Sequence, residues 1–360
     1  MSNRKIKGRY LLMSVVVASI LAGSACTAEG DLSASSGSGV SDSAAPETVT
    51  KQLISDPEFS EGINVTGLKS QAVENTSWLY QNTVNTTYGP YWTLGQYCDL
   101  SSTRQNYDSS KNDLSLGTLF DEPKGIEGKK GEYFTLVNQS GSKYIAVSPS
   151  SGEAEINIDT SKEYIDQTDG SLRPRVDGED WVHMILQQST GAVYLSELDS
   201  LSIELEFSFT SLEAIESSVG ASQFQWIFSI HDSESVIGDY MWFNLTVYDN
   251  RYRVFPGTQM FDGGKDDATG KFIYAPSGTE VFGEDFDGFT VGERYAIRLD
   301  LKAYMKQAFE TAQEKGALAA AKWENMAING FNLGWEVSNV AKVGVHIYEL
   351  SLAAETKSEE

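Results

Sequence analysis

Glu204 and Glu206 stand two residues apart in a segment, 202–209, that alternates polar and apolar side chains. On a strand that spacing puts both carboxylates on one face, about 7 Å apart at their Cα atoms. Two carboxyls roughly 5–5.5 Å apart are what a retaining cleavage of a glycosidic bond requires, one as nucleophile and one as acid. A second set of residues suits sugar recognition. Gln223 and Gln225 share one face of the segment 223–231, and Trp242, Asn244 and Tyr248 share one face of 240–248. A pyranose presents an apolar C–H face that lies flat on Trp or Tyr, while its hydroxyls need the paired donors and acceptors that amides and carboxylates supply. Glu336 and Asp232 are the acids expected to complete a pair with Glu206 or Glu204.

These residues need strands to hold them, and the chain is rich in strand signals. Short apolar or aromatic runs at 91–96, 133–137, 144–147, 181–188, 202–209, 223–231, 240–248, 272–274, 295–301 and 343–352 are separated by Gly, Asn, Asp and Ser clusters. In 202–209, Ile203, Leu205, Phe207 and Phe209 share one face, opposite Ser202, Glu204, Glu206 and Ser208. Phe224, Trp226, Phe228 and Ile230 separate in the same way from Gln223, Gln225, Ser229 and His231. One apolar and one polar face per strand predicts an all-β fold of two antiparallel sheets packed as a sandwich. One helix is expected between 303 and 326, where Tyr304, Ala308, Phe309 and Ala312 fall at helical spacing, with Gly316 interrupting it.

The N-terminal region has another purpose. Arg4, Lys5, Lys7 and Arg9 precede an apolar run from Tyr10 to Ala22, then Gly23, Ser24, Ala25 and Cys26. That order marks residues 1–25 as an export signal, too short in its apolar part to be a permanent span, which takes about 20 residues. Residues 26–53 read as a lipidation site followed by a flexible linker: from Thr27 to Thr50 Ser, Ala, Gly and Asp dominate, with no aromatic or basic residue. Residues 54–360 read as a single domain, with no internal repeat. With Cys26 lipidated, Cys98 has no partner for an intramolecular disulfide, and stability must come from packing.

The net charge is −24, and removing an export segment with four basic and no acidic residues takes it to −28. Nucleic acid is thereby disfavoured as a partner, and so are anionic lipids and polyuronates, whereas a neutral glycan fits. Of the three histidines, His183 and His346 lie within strand patterns and read as structural. No histidine pair has zinc-ligand spacing, and phosphate loops, nucleophile elbows and Cys-x-x-Cys pairs are missing from the sequence. No cofactor is expected. A structural Ca²⁺ would find its oxygen ligands in the acidic turns at 177–180, 262–267 or 284–287, none of which has the twelve-residue helix–loop–helix pattern.

Small residues before Cys26 resemble a bacterial lipoprotein processing site, with Gly23 at the position where a branched apolar residue is usual. That implies an exported protein tethered by lipid to the extracytoplasmic surface, in contact with the membrane through the anchor only. From Trp181 to Leu352 the pattern resembles the concanavalin A-like lectin and glucanase jelly rolls. The run Asn329-Gly-Phe-Asn-Leu-Gly-Trp-Glu336, followed by the strand from Val343 to Leu352, is similar to their closing strands. Retaining glucanases of that superfamily carry Glu-x-Asp-x-Glu, and here Glu204-Leu-Glu206-Phe-Ser208 lacks the final acid. Jelly-roll alginate lyases use a Gln-Ile-His stretch. Ser229-Ile230-His231 has Ser in place of Gln, leaving Gln225 and Arg298 to compensate. The resemblance implies a surface carbohydrate-binding protein for a poly- or oligosaccharide, with a glycoside hydrolase on the same face or a protein-docking module as the alternatives. Replacing Cys26 by Ser is expected to move the protein from the membrane fraction to the soluble extracytoplasmic fraction in an immunoblot of fractionated cells; retention with the membrane would rule out the thioether anchor.

Overall fold

The computed structural model describes residues 48–68, 76–79, 90–97, 108–125, 132–166, 168–176, 179, 181–216, 220–236, 238–263 and 269–357. Residues 1–25, which read as an export signal, lie outside them, as do Cys26, Cys98 and most of the expected linker. In chain order the strands are β1 (Thr48–Gln52), β2 (Ile63–Thr66), β3 (Thr76–Leu79), β4 (Trp92–Gly95), β5 (Thr118–Gly125), β6 (Glu132–Val137), β7 (Lys143–Ser148) and β8 (Glu153–Asp159). They continue as β9 (Val182–Tyr194), β10 (Ser200–Glu216), β11 (Ser222–Asp232), β12 (Tyr240–Asp249), β13 (Thr258–Phe261), β14 (Phe272–Ala275), β15 (Arg294–Asp300), β16 (Met326–Val337) and β17 (Val340–Lys357). Helices are short except one: α1 (Ser109–Asn112), α2 (Gly278–Phe282) and α3 (Leu301–Glu314).

The strands form the expected two-sheet sandwich. One sheet has eight strands in the order β15-β10-β17-β8-β7-β6-β5, with β1 also paired to β17. The other has nine, ordered β13-β14-β12-β11-β16-β9-β4-β2-β3. Pairing is antiparallel apart from β12 with β14 and β2 with β4. Ile203, Leu205, Phe207 and Phe209 of β10 face inward from the eight-stranded sheet, and Phe224, Trp226, Phe228 and Ile230 of β11 face inward from the nine-stranded one, all fully or nearly fully buried. The two layers meet in an aromatic seam, with Phe209 5.7 Å from Trp335 and 6.0 Å from Phe224, edge on in the second case. Trp335 also donates its indole N–H across the sandwich to the Ile156 carbonyl at 3.2 Å, so its one polar atom is satisfied inside the core.

Several expectations change. Thr48–Gln52 is not linker but a strand laid along β17, from Thr48 opposite Lys357 to Gln52 opposite Ala353, and Leu53 after it is buried. The helix runs over Leu301–Glu314 rather than 303–326. Asp300 caps it by accepting from the Lys302 N–H, and its core stripe is Leu301, Met305, Ala308, Phe309 and Ala312. It stops because Gly316 turns the chain at φ 84° while Gln313 donates to the carbonyls of Leu318 and Ala321; from Met326 the chain is strand. Unforeseen β8 alternates Glu153, Glu155 and Asn157 with inward Ala154, Ile156 and Ile158. Pro123 falls where the β5–β6 register shifts between Phe120 and Lys124, so its missing N–H breaks no ladder pair.

One end of the sandwich is closed around a buried cation. Lys143 on β7 is 1% exposed, and its Nζ donates to Gln96 Oε1 at 3.1 Å and the Asn112 carbonyl at 2.9 Å, with Glu163 Oε1 3.5 Å away. Glu163 also accepts from Ser142 Oγ. Taking one member of such a pair leaves an uncompensated buried charge, a cost of about 3–5 kcal/mol. Lys143→Met is therefore expected to lower stability by that amount, read as a shift of the urea midpoint.

Candidate functional site

Strand register assigns every outward residue of the nine-stranded sheet to a row. Gln223 lies between Glu336 of β16 and Asp249 of β12, and Glu336 lies opposite His183 of β9. In the next rows Gln225 lies between Gly334 and Thr246, and Ile227 between Asn332 and Asn244. Ser229 is opposite Trp242, whose row continues through Ile273 of β14 to Met260 of β13. His231 is opposite Tyr240. Gln223, Gln225, Trp242, Asn244, Glu336 and His231 thus occupy one face.

At one end of this face a hydrogen-bonded array is built around Gln225. Its Oε1 accepts from Thr246 Oγ1 at 3.0 Å and Asn244 Nδ2 at 3.3 Å, which fixes the amide so that Nε2 donates to Glu336 Oε2 at 2.6 Å. Oε1 of Glu336 lies 3.4 Å from His183 Nε2. The other ring nitrogen, Nδ1, is 2.7 Å from the Tyr97 carbonyl, which only accepts, so Nδ1 carries a proton. A hydrogen bond between Nε2 and Glu336 therefore needs one more proton, on the imidazole or on the carboxyl. Trp181 stacks on His183 with 14° between the rings, and the Tyr97 hydroxyl donates to Gln187. Asn244 is 9% exposed, and its Oδ1 is buried without a hydrogen-bond partner, a desolvation cost of about 1–3 kcal/mol.

The other end is aromatic. His231 stacks on Tyr240 at 4.9 Å, Tyr240 meets Trp242 edge on at 5.1 Å, and Lys271 Nζ sits 4.8 Å over the Tyr240 ring while pairing with Asp239 at 2.8 Å. Ser229 Oγ contacts His231 Nε2. Burial, with Lys271 nearby, holds the His231 pKa below that of an ordinary imidazole, so the ring is neutral at pH 7.

The remaining candidates lie elsewhere. A bulge on β12 shifts the register between Phe224 and Gln225, so Tyr248 is opposite inward-facing Phe224. It packs against Phe209, Trp335 and Phe289, at 5.3, 6.0 and 6.4 Å, and burial there pushes its pKa up to about 12. Glu204 and Glu206 are on β10 of the eight-stranded sheet, facing away from the core and therefore away from Glu336. They pair with arginines of β15, Glu204 with Arg298 at 3.2 Å and Glu206 with Arg294 at 2.8 Å. The expected pairing of Glu204 or Glu206 with Glu336 or Asp232 is excluded by that topology, and Arg298 is equally remote from His231. Asp232 caps its own turn through the Glu234 N–H. Among the described residues no group of three or more His, Cys, Asp or Glu is placed to hold a metal; Asp262 accepts from Thr269, and Asp287 pairs with Arg253.

His183, Trp181, Tyr97, Ile273 and Met260 are not among the sequence candidates for this face. His183 carried a signal, since it alternates with Val182 and Met184, but that did not reveal Glu336 as its neighbour. Asp249 is the other carboxylate of these rows. Its side chain is fully buried and committed to Arg251 and to Gln223 Nε2. It lies two strands from Glu336, about 10 Å at Cα, well beyond the separation of a retaining pair.

No protein-family model matches the sequence, and no curated protein matches it. Solved structures to which the fold is similar include a family 12 xyloglucanase from Bacillus licheniformis in complex with ligand, at 9% identity over 66% of this chain and 98% of that one with a TM-score of 0.36. Another is the endoglucanase cel12A of Rhodothermus marinus, at 12% identity, 67% and 99% coverage and a TM-score of 0.34. A third is the xyloglucanase domain of NopAA, a type three effector of Sinorhizobium fredii, in complex with cellobiose, at 11% identity, 66% and 92% coverage and a TM-score of 0.30.

The depressed His231 pKa has a stability consequence. The unfolded chain binds the proton first as pH falls below about 6.5, so stability drops with pH from there down to the lower folded value. His231→Gln is expected to lose less stability than the parent between pH 7.5 and 5.0, measured as the difference in urea midpoints.

Proposed function

We propose that this is an exported, lipid-anchored protein that binds a neutral glycan across the outer face of its nine-stranded sheet. The observation that carries the reading is the division of that face into an apolar row, Met260–Ile273–Trp242, and a fixed amide and carboxyl array of Asn244, Gln225, Glu336 and His183. A sugar ring needs both, one for its C–H face and one for its hydroxyls. The basic groups at its ends are matched by acids, Lys271 by Asp239 and Arg251 by Asp249, which favours an uncharged ligand. The anchor and the cellular location rest on the order of residues around Cys26.

Binding rather than hydrolysis is favoured because Glu336 faces a histidine and not a second available carboxylate. The Glu336–His183 pair is nonetheless a proton donor or acceptor on a sugar-sized surface, and this supports a glycoside hydrolase as the second reading. The test uses the chain from residue 26 onward with Cys26→Ser, probed on an array of neutral and acidic glycans and followed by product analysis of each hit. A neutral-glycan hit without products, weakened about tenfold, or about 1.4 kcal/mol, by Trp242→Ala, is expected. Shortened oligosaccharides that disappear with Glu336→Gln would move the assignment to hydrolase. Silence on all glycans would leave a protein-docking surface.

A further inference from the structure

The opposite face of the molecule holds a second polar site. A cavity of about 300 Å³ opens on the outer side of the eight-stranded sheet, lined by Tyr144, Glu155, Asn157, Thr210, Lys162 and Lys342 among others. That volume is at the small end of the range for small-molecule sites, about 300–1,000 Å³, enough for one sugar ring and not for a chain. Its floor depends on the absence of a side chain. Asn157 of β8 lies opposite Gly344 of β17, which lies opposite Ser211 of β10. A Cβ on Gly344 would stand 2.1 Å from Asn157 Oδ1 and 2.2 Å from Thr210 Oγ1. Only glycine lets these two side chains meet over β17, where Thr210 donates to Asn157 at 3.0 Å.

Behind the floor the polar groups are locked in series. Asn157 Nδ2 donates to Glu155 Oε1 at 2.6 Å, and Glu155 Oε2 is 3.4 Å from His346 Nδ1. His346 is fully buried, with its Nε2 3.0 Å from Glu153 Oε2, which also accepts from the Tyr133 hydroxyl. A neutral imidazole donates from one nitrogen alone, so two flanking carboxylates require one further proton in the cluster. Such a chain sets the orientation of Glu155 and Asn157 before any ligand arrives, the preorganisation that limits the cost of binding. On the wall beside Asn157 stands Tyr144, half-buried, its pKa raised by burial. It presents a ring face and a hydroxyl that forms no hydrogen bond among the described residues. At the rim Lys162 pairs with Asp159 at 3.4 Å and Lys342 with Glu213 at 3.6 Å, so the cations are already matched.

We propose that this cavity is a second saccharide site, taking a single neutral pyranose unit with its C–H face on Tyr144 and its hydroxyls on Asn157, Glu155 and Thr210. It stands independently of the glycan surface on the nine-stranded sheet. The test is saturation-transfer NMR on the chain from residue 26 with Cys26→Ser, titrated with glucose, galactose, mannose and xylose. At least one of the four is expected to bind. Thr210→Trp, which fills the cavity from an exposed position, and Tyr144→Ala should each weaken that binding at least fivefold. Silence with all four sugars, or binding that survives Thr210→Trp in the folded variant, would overturn the site. Binding lost only with Trp242→Ala or Gln225→Ala would also overturn it, placing the sugar on the nine-stranded sheet. Failure of the larger glycan surface would show instead as an empty array with monosaccharide binding intact.

Discussion

The aromatic seam between the sheets decides which residues are available for chemistry. Phe209, Phe224 and Trp335, with Tyr248 and Phe289 at the margin, are joined by ring contacts of 4.9–6.4 Å. Because side chains alternate across a strand, fixing these inward residues fixes every outward one, and a slip of one residue would turn the whole polar set into the core. The seam is thus the reference for both outer faces. Where a bulge interrupts the alternation, a side chain changes side: Tyr248 joins the seam while Thr246, two residues earlier, reaches Gln225.

The two outer faces reach different chemical outcomes from the same rule. On the eight-stranded sheet, Glu204 of β10 meets Arg298 directly opposite on β15 and Glu206 meets Arg294 diagonally, and Arg294 also lies 3.6 Å over the Tyr348 ring. Exposed pairs of that kind contribute little to stability, about 0–1 kcal/mol, but they occupy the carboxylates. Further along that sheet β8 brings Glu153 and Glu155 to a buried histidine instead. On the nine-stranded sheet the rows around Gln223 and Gln225 carry amides and two carboxyls, Glu336 and the buried Asp249, and a Cβ on Gly334 or Gly330 of β16 would meet the Met184 or Gln188 carbonyl of β9 at 2.1 or 2.6 Å.

Much of this was legible in the alternation itself. The inward and outward sets of β10 and β11, most of β12, and the all-β sandwich follow from period-two patterning in 202–209, 223–231 and 240–248. Sheet membership was not legible, because Glu206 and Gln225 look alike as outward polar residues and only long-range pairing sends β10 and β11 to opposite layers. Bulges were equally hidden: nothing in the run from Trp242 to Tyr248 marks Val247 as the extra residue. Strand β8 escaped because its outward positions are acidic, leaving Ala154, Ile156 and Ile158 as a thin apolar signal. The Ala- and Lys-rich stretch after Gly316 had helical composition, but tertiary pairing of β16 with β9 and β11 claims the chain from Met326 onward.

Charge bookkeeping connects the sequence to the site. A chain of net charge −24 repels polyanions over distances of about a Debye length, near 10 Å at moderate salt, yet the outer face of the nine-stranded sheet is itself locally balanced. Arg251 answers Asp249, Lys271 answers Asp239, and His183 lies 3.4 Å from Glu336. Of these, the last involves a group that is neither wholly buried nor permanently charged. The Tyr97 carbonyl fixes the His183 ring on one side, and the Gln225 amide donates to Glu336 on the other. An uncharged, hydroxyl-rich ligand is the partner for which such a surface incurs the least electrostatic penalty.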